Sequence, residues 1–297
     1  MAVKTVQAKF NGQTITLTLN SSTGKYEASV TAPNTSSFKM TGGYYPVEIT
    51  ATDTAGNTVT KTATDTTLGA SLQLKVKETT PPVISLTAPT SGAHLGSATP
   101  AITWTVMDAD SGVKESSISI KIDNGAAITT GITKTAVSNG YNCSYTPTSL
   151  ADGSHTIYLN ASDNDGNAAT QLTSTFTVDT IPPVLTVSAP ADKSVTNNAT
   201  CTVTGSTNDD LTTLASVTVN GNTVTVGNNG TFTTTVTLTA GSNTITVIST
   251  DATGKTTTVT RTVTLDQTPP SITAVSISPN PATVGQSFLI SVTVTDT

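Results

Sequence analysis

A proline pair recurs along this chain, and the same spacing of residues follows it each time. Thr80-Pro81-Pro82, Thr180-Ile181-Pro182-Pro183 and Thr268-Pro269-Pro270 each precede an apolar stretch ending in a proline-bearing turn: ISLTAP (84–89), LTVSAP (185–190) and VSISPNP (275–281). An alternating stretch comes next: AITWTVMD (101–108), TCTVTGSTND (200–209) and FLISVTVTD (288–296). From the second proline to the closing acidic residue the spacing is identical in every case, 82 to 108, 183 to 209 and 270 to 296. Paired prolines interrupt strand pairing and stiffen the chain, so they mark joints between repeated units. A second signature, strand then Asp-x-x-Gly-Asn/Lys then strand, closes each unit: ITATDTAGN (49–57), LNASDNDGN (159–167) and VISTDATGK (247–255). Asp and Gly tolerate the left-handed backbone of tight hairpins, and Asn11-Gly12, Asp123-Asn124-Gly125 and Asn220-Gly221-Asn222 read as further hairpin turns.

Between the turns the apolar residues alternate with Thr and Ser at period two, and no stretch shows helical spacing. Thr and Val are β-branched and fit a pleated, half-buried surface. The expected fold is all-β. At 297 residues, and roughly 100 residues per sandwich, the chain predicts tandem immunoglobulin-like or fibronectin-III-like antiparallel β-sandwiches in an elongated array. The units divide as residues 1–78, 79–179, 180–266 and 267–297. The first reads as an immunoglobulin-like domain without its first two strands. Its stretch from Met1 to Asp53 spans 52 residues, against 55 from Asp108 to Asp163 and 42 from Asp209 to Asp251, two stretches that begin only after the second strand. The last unit reads as the first two strands of an incomplete domain. Two strands cannot bury a core alone, so residues 271–297 of one copy are expected to complete residues 1–78 of another by strand addition, through Ser278, Phe288, Ile290, Val292 and Val294. The product would be a homo-oligomeric ring or fibre. A different protein partner for the tail, and a tail that is disordered or cut from a longer array, are the alternatives.

The formal net charge of −6 and the charged fraction of 11% leave no basic patch for nucleic acid or an anionic membrane. No apolar run is long enough to insert in a membrane, and MAVKTVQAKFNGQTITLTLN lacks the apolar core of a secretory signal. Catalytic residues are not expected. His94 and His155 read as a loop residue and a strand-start residue with no nucleophile motif nearby, no glycine-rich phosphate loop opens a helix, and Cys143 and Cys201 lack zinc-site spacing. The two cysteines fall in different units, so two buried free thiols are expected rather than a disulfide. Trp104 reads as a core residue, and Tyr44-Tyr45 as core or edge packing.

Carboxylates gather where the loop after the second strand meets the closing hairpin. For the second unit these are Asp108, Asp110, Asp163 and Asp165, with Glu78 in the linker; for the third they are Asp179, Asp209, Asp210 and Asp251. Hard oxygen ligands clustered this way suit Ca²⁺ at an interdomain joint, and no other cofactor is expected. The competing reading is that each Asp caps its own turn. Under strand complementation, Asp266, Asp296 and the partner copy's Asp53 would meet at the equivalent joint.

The Asp-x-x-Gly-Asn turns, the Thr-Pro-Pro linkers and Asp108-Ala-Asp110-Ser-Gly112 resemble the tandem immunoglobulin-like and fibronectin-III-like repeats of bacterial surface and phage proteins. More narrowly, KTVQAKFNGQTITLTLNSSTGKYEASVTAP and GITKTAVSNGYNCSYTP resemble immunoglobulin-like proteins encoded in prophages of Clostridia-type gut bacteria. The resemblance implies a non-enzymatic structural protein of a virion or phage tail, located in an extracellular particle and bound to other particle proteins. The alternative it leaves open is an adhesion or glycan-binding module at the bacterial cell surface.

Overall fold

The computed structural model describes residues 2–296. Strands form where the residues alternate at period two, and among the described residues regular helix is limited to three short 3₁₀ turns at 41–43, 69–72 and 115–117. The chain divides into two units, residues 1–178 and 179–297.

In the first unit, β1 (Val3–Phe10), β2 (Gln13–Asn20) and β3 (Lys25–Glu27) are followed by β4 (Tyr45–Pro46), β5 (Glu48–Asp53), β6 (Thr58–Lys61) and β7 (Gln73–Leu74). They form one five-stranded sheet in the order β3-β2-β1-β5-β6, with β4 and β7 paired separately. Asn11 (φ 47°) and Gly12 (φ 75°) turn β1 into β2 with the positive dihedrals that a two-residue hairpin demands. Pairing sets Val6 opposite Leu17 and Ala51, and Ala8 opposite Ile15 and Ile49, so these side chains share one apolar face.

The same unit then builds a complete sandwich from β8 (Val83–Ala88), β9 (Ala93–Leu95), β10 (Ile102–Met107), β11 (Ser119–Ile122), β12 (Thr133–Val137), β13 (Gly140–Tyr145), β14 (Gly153–Asn160) and β15 (Leu172–Val178). Its two sheets run β12-β13-β10-β8 and β11-β14-β15-β9. Alternate residues of β10, Ile102, Trp104 and Val106, meet Ile157, Leu159 and Phe176 of the facing sheet in a core of twelve buried side chains.

The second unit repeats the plan with β16 (Val184–Ala189), β17 (Ser194–Thr196), β18 (Thr200–Asn208), β19 (Leu214–Val219), β20 (Asn222–Val224), β21 (Thr231–Thr237), β22 (Gly241–Asp251) and β23 (Thr256–Leu265). Its sheets run β16-β18-β21 and β17-β23-β22-β19-β20, around buried side chains that include Val203, Phe232, Ile245 and Val247. A hairpin of β24 (Ser271–Ser278) and β25 (Leu289–Thr295) follows.

Two sequence expectations need correction. His94 lies not in a loop but in β9, which pairs in parallel with β15 just as β17 pairs with β23. These three-residue strands join the second sheet and are too short to show alternation. Cys201 is only half-buried, although its inward-facing neighbour Val203 is fully buried. It sits at the start of β18, where the sandwich ends and less of the facing layer covers it. Cys143 is buried in mid-sheet as expected, and burial pushes its thiol up to about 11. A thiol reagent is therefore expected to label Cys201 in the native protein and Cys143 only after unfolding, as peptide mapping of the alkylated protein would show.

His155 at the start of β14 has an acceptor at each ring nitrogen: Asp123 Oδ2 at 2.7 Å from Nδ1 and the Ala151 carbonyl at 2.8 Å from Nε2. Burial alone would lower its pKa, but these acceptors favour the imidazolium and the net shift is upward. A raised folded-state pKa stabilises the fold fully below the unfolded value of about 6.5 and loses that contribution as pH climbs through the folded value. The melting temperature of the second sandwich is expected to fall as pH rises above that range, and scanning calorimetry of Asp123→Asn should show a flatter slope.

Candidate functional site

Two apolar surfaces are covered only in part or not at all. The first is the sheet β3-β2-β1-β5-β6. Of the described residues in 2–78, four apolar side chains are buried, Val6, Phe10, Tyr45 and Ala63, against twelve described ones in each complete sandwich. On the face shared by Val6, Ala8, Ile15 and Leu17, the flanking Leu19 and Val59 remain 57% exposed. Residues 28–32 and 71–75 cover the face only partly and leave a groove of about 460 Å³, floored by Ala8, Phe10, Ile15 and Val47.

The second surface is the β24–β25 hairpin. Its register pairs Ile272 with Val294, Val275 with Val292 and Ile277 with Ile290, and the irregularity between Ile272 and Ala274 brings Ile272 into phase with the others. One face is therefore wholly branched-aliphatic, and the opposite face carries Ser276, Ser291, Thr293 and Ser278. Every residue of both strands is exposed.

Comparison of equivalent positions shows what is missing. Two, four and six residues before the closing acidic residue, β10 has Val106, Trp104 and Ile102, at 0%, 1% and 0% exposure, and β18 has Thr207, Gly205 and Val203, with Thr207 at 4% and Val203 at 0%. In β25 the same offsets from Asp296 give Val294, Val292 and Ile290, at 55%, 50% and 57%. The facing layer shows the converse. Ile157 and Leu159 precede Asp163, Ile245 and Val247 precede Asp251, and all four are buried, whereas Val47 and Ile49 before Asp53 are half-buried. Every residue of the hairpin strands is exposed, and the apolar face of the first sheet is only partly covered.

Of the five residues expected to carry assembly, Ile290, Val292 and Val294 lie on the apolar face. Phe288 is exposed just before β25, and Ser278 sits on the other face opposite Leu289. Sequence reasoning misses Ile272, Val275 and Ile277, although their alternation with Ser and Ala was available as a signal.

Carboxylate groups gather in each unit. One oxygen each from Glu78, Asp108 and Asp163 lie within 4.8 Å of one another, and so do oxygens of Asp179, Asp209 and Asp251. The remaining expected ligands are drawn elsewhere: Asp110 accepts from the Ser36 amide at 2.9 Å, Asp165 from the Glu78 amide at 3.0 Å, and Asp210 from the Asn208 side chain at 2.6 Å. Asp53, Asp163 and Asp251 play one structural role, each accepting backbone amides of its own hairpin through Oδ1. Those bonds, together with the Asn167 side chain, outweigh burial and hold the Asp163 carboxyl below its usual range. Glu78, Asp179 and Asp266 stand at one fixed spacing before Asp108, Asp209 and Asp296, so the triad positions recur with the repeat.

Residues 82–159 match the family described as bacterial Ig domain, and residues 183–267 match glucodextranase, domain B. No curated protein matches the chain. Among solved structures it is similar to the fibronectin(III)-like modules of CbhA from Clostridium thermocellum (15% identity, TM-score 0.37, covering 62% of this chain and 94% of that one). It is also similar to a tetra-tandem repeat in the extending region of a large adhesion protein (19% identity, TM-score 0.33, covering 98% and 79%). A third is the endo-β-1,4-mannanase of Thermotoga petrophila (16% identity, TM-score 0.30, covering 35% of this chain), of which the chain spans 21%. The protein is a succession of immunoglobulin-like antiparallel β-sandwiches.

Proposed function

We propose that this chain is a non-enzymatic structural protein of a phage or phage-like particle, and that it joins copies head to tail by strand complementation. The exposed apolar face of β24–β25 would lie on the open face of the first sheet of a second copy. One observation carries the reading: the positions buried in β10 and β18 are exposed in β25, while the matching inner face of the first sheet is only partly covered. Each copy thus holds one donor and one acceptor, a heterologous contact that propagates into a ring or fibre. Apolar patches left open on this scale mark interaction surfaces. The particle setting rests on the resemblance of residues 4–33 and 131–147 to prophage-encoded immunoglobulin-like proteins. The structural role is supported by the titratable side chains that a reaction would draw on: His155 is held by Asp123 and Ala151, and the Cys143 thiol is pushed up to about 11.

The match of residues 183–267 to a glucodextranase domain favours a second reading, a glycan-binding surface module. Sugar recognition by stacking needs an exposed ring, and the single aromatic residue of that segment, Phe232, is buried.

Mass photometry and negative-stain microscopy of the full chain beside a copy truncated after Gln267 test the assembly. The full chain is expected to form rings or fibres with a concentration-dependent population, and the truncated one to stay monomeric. Monomers in both samples at micromolar concentration would sink the proposal.

A further inference from the structure

In the second unit three carboxylates converge on one point without a basic partner. Asp179 and Asp251 are each 1% exposed, Asp209 is half-buried, and the ion pairs of the described residues, Lys61–Asp65 and His155–Asp123, involve none of the three. Most of their oxygens have donors. Asp179 accepts the Ile181 amide and the Thr212 hydroxyl, and Asp209 accepts the amides of Leu211 and Thr212. Asp251 Oδ1 takes three bonds, from the Thr253 amide and hydroxyl and from the Lys255 amide. Asp251 Oδ2 is different: it is fully buried and no group of the protein donates to it.

A buried, unmet carboxylate oxygen beside two further carboxylates is an electrostatic arrangement that the protein alone does not satisfy. We propose that Asp179, Asp209 and Asp251 bind a divalent cation of the calcium type. The ligand oxygens lie within 4.8 Å of one another, which suits oxygens sharing one ion at about 2.3–2.6 Å. A small cavity of about 80 Å³ opens on the Asp179 and Asp209 side of the cluster, lined also by Asn208 and Asp210 but not by Asp251, and gives solvent an approach to the site. All the donors are hard oxygens, and their irregular placement on a linker, a strand end and a hairpin fits the flexible coordination of Ca²⁺ better than the strict octahedron of Mg²⁺. Bound there, the ion ties the entry to β16 to the end of β18 and to the β22–β23 turn. The proposal does not depend on the assembly of copies.

Equilibrium dialysis of the EGTA-stripped full chain against CaCl₂, with scanning calorimetry of the same samples, tests it. Saturable binding is expected, with a Ca²⁺-dependent rise in the melting temperature of the third sandwich. Asp251→Asn should bind one ion fewer per chain and lose that rise, since the amide keeps the shape and its oxygen still accepts the hairpin amides. Asp192→Asn, whose carboxylate accepts the Thr262 amide outside the triad, should bind as the parent does. Should Asp251→Asn fail to fold, Asp209→Asn supplies the same readout. Undiminished binding in a folded triad variant, absence of saturable binding, or equal binding of MgCl₂ would overturn the assignment.

Discussion

Replacing Trp104 by alanine is expected to remove about 3–5 kcal/mol from the second sandwich, the usual cost of emptying a buried aromatic site. Trp104 is 1% exposed at the middle of β10, flanked by Leu86 and Cys143 on the paired strands and facing the Ile157, Leu159 and Phe176 layer. A sandwich of this size has only about 5–15 kcal/mol in total, so the variant should lose a large share of it. Its melting transition should fall by more than about 10 °C. The ring also carries a cost of its own: the Trp104 indole N–H is buried and finds no acceptor in the protein, a penalty of about 1–3 kcal/mol that disappears with the ring. Trp104→Phe, which keeps most of the packing and removes the stranded donor, should therefore stay within about 1 kcal/mol of the parent. Scanning calorimetry separates the second sandwich from its neighbour and reads both variants. If Trp104→Ala melts with the parent, the ring is not the centre of this core.

The division between what the residues foretold and what they did not follows the range of the interaction. Turns and alternation are local, so the Asn-Gly and Asp-x-x-Gly hairpins and the long strands were legible, and with them the all-β sandwich class. β9 and β17 were not. Three residues show no period, and their parallel partners lie far along the chain, Phe176 for Ala93 and Val263 for Ser194. The fate of the aspartates was legible only in part. Their clustering follows from repeat spacing, yet Asp110 and Asp165 leave the triad to accept amides of Ser36 and Glu78, which are distant in sequence. Identical residue types thus become cap or cluster member according to which donor the tertiary fold presents. The burial of Cys201 failed for a related reason: period two assigns a face, not a distance from the end of the sandwich. The alternation of Ile15, Leu17 and Leu19 likewise announced an apolar face without revealing that residues 28–32 and 71–75 fold over part of it.

Val292→Asp is expected to abolish assembly of the full chain while leaving each sandwich as stable as before. Val292 occupies the position of Trp104 in its own repeat, yet it is 50% exposed and opposite Val275, itself 61% exposed. In the unassembled chain the aspartate meets water, and an exposed substitution of this kind changes stability by no more than about 0.5 kcal/mol. In the assembled state the same carboxylate would enter an interface floored by the apolar Val6, Ala8, Ile15 and Ile49 side chains, with Lys75 only at the exposed edge of the groove. Burying an unpaired charge there costs several kcal/mol. That is enough to shift a micromolar association out of reach, since every loss of about 1.4 kcal/mol weakens affinity tenfold. Ser276→Asp is the matched control: it adds the same charge to the opposite, hydroxyl-bearing face of the hairpin and should assemble as the parent does. Mass photometry would report monomers for the first variant and rings or fibres for the second, with unchanged calorimetric transitions in both. Assembly of Val292→Asp at parental levels would mean that copies meet through some other surface, and that the hairpin face is not the donor.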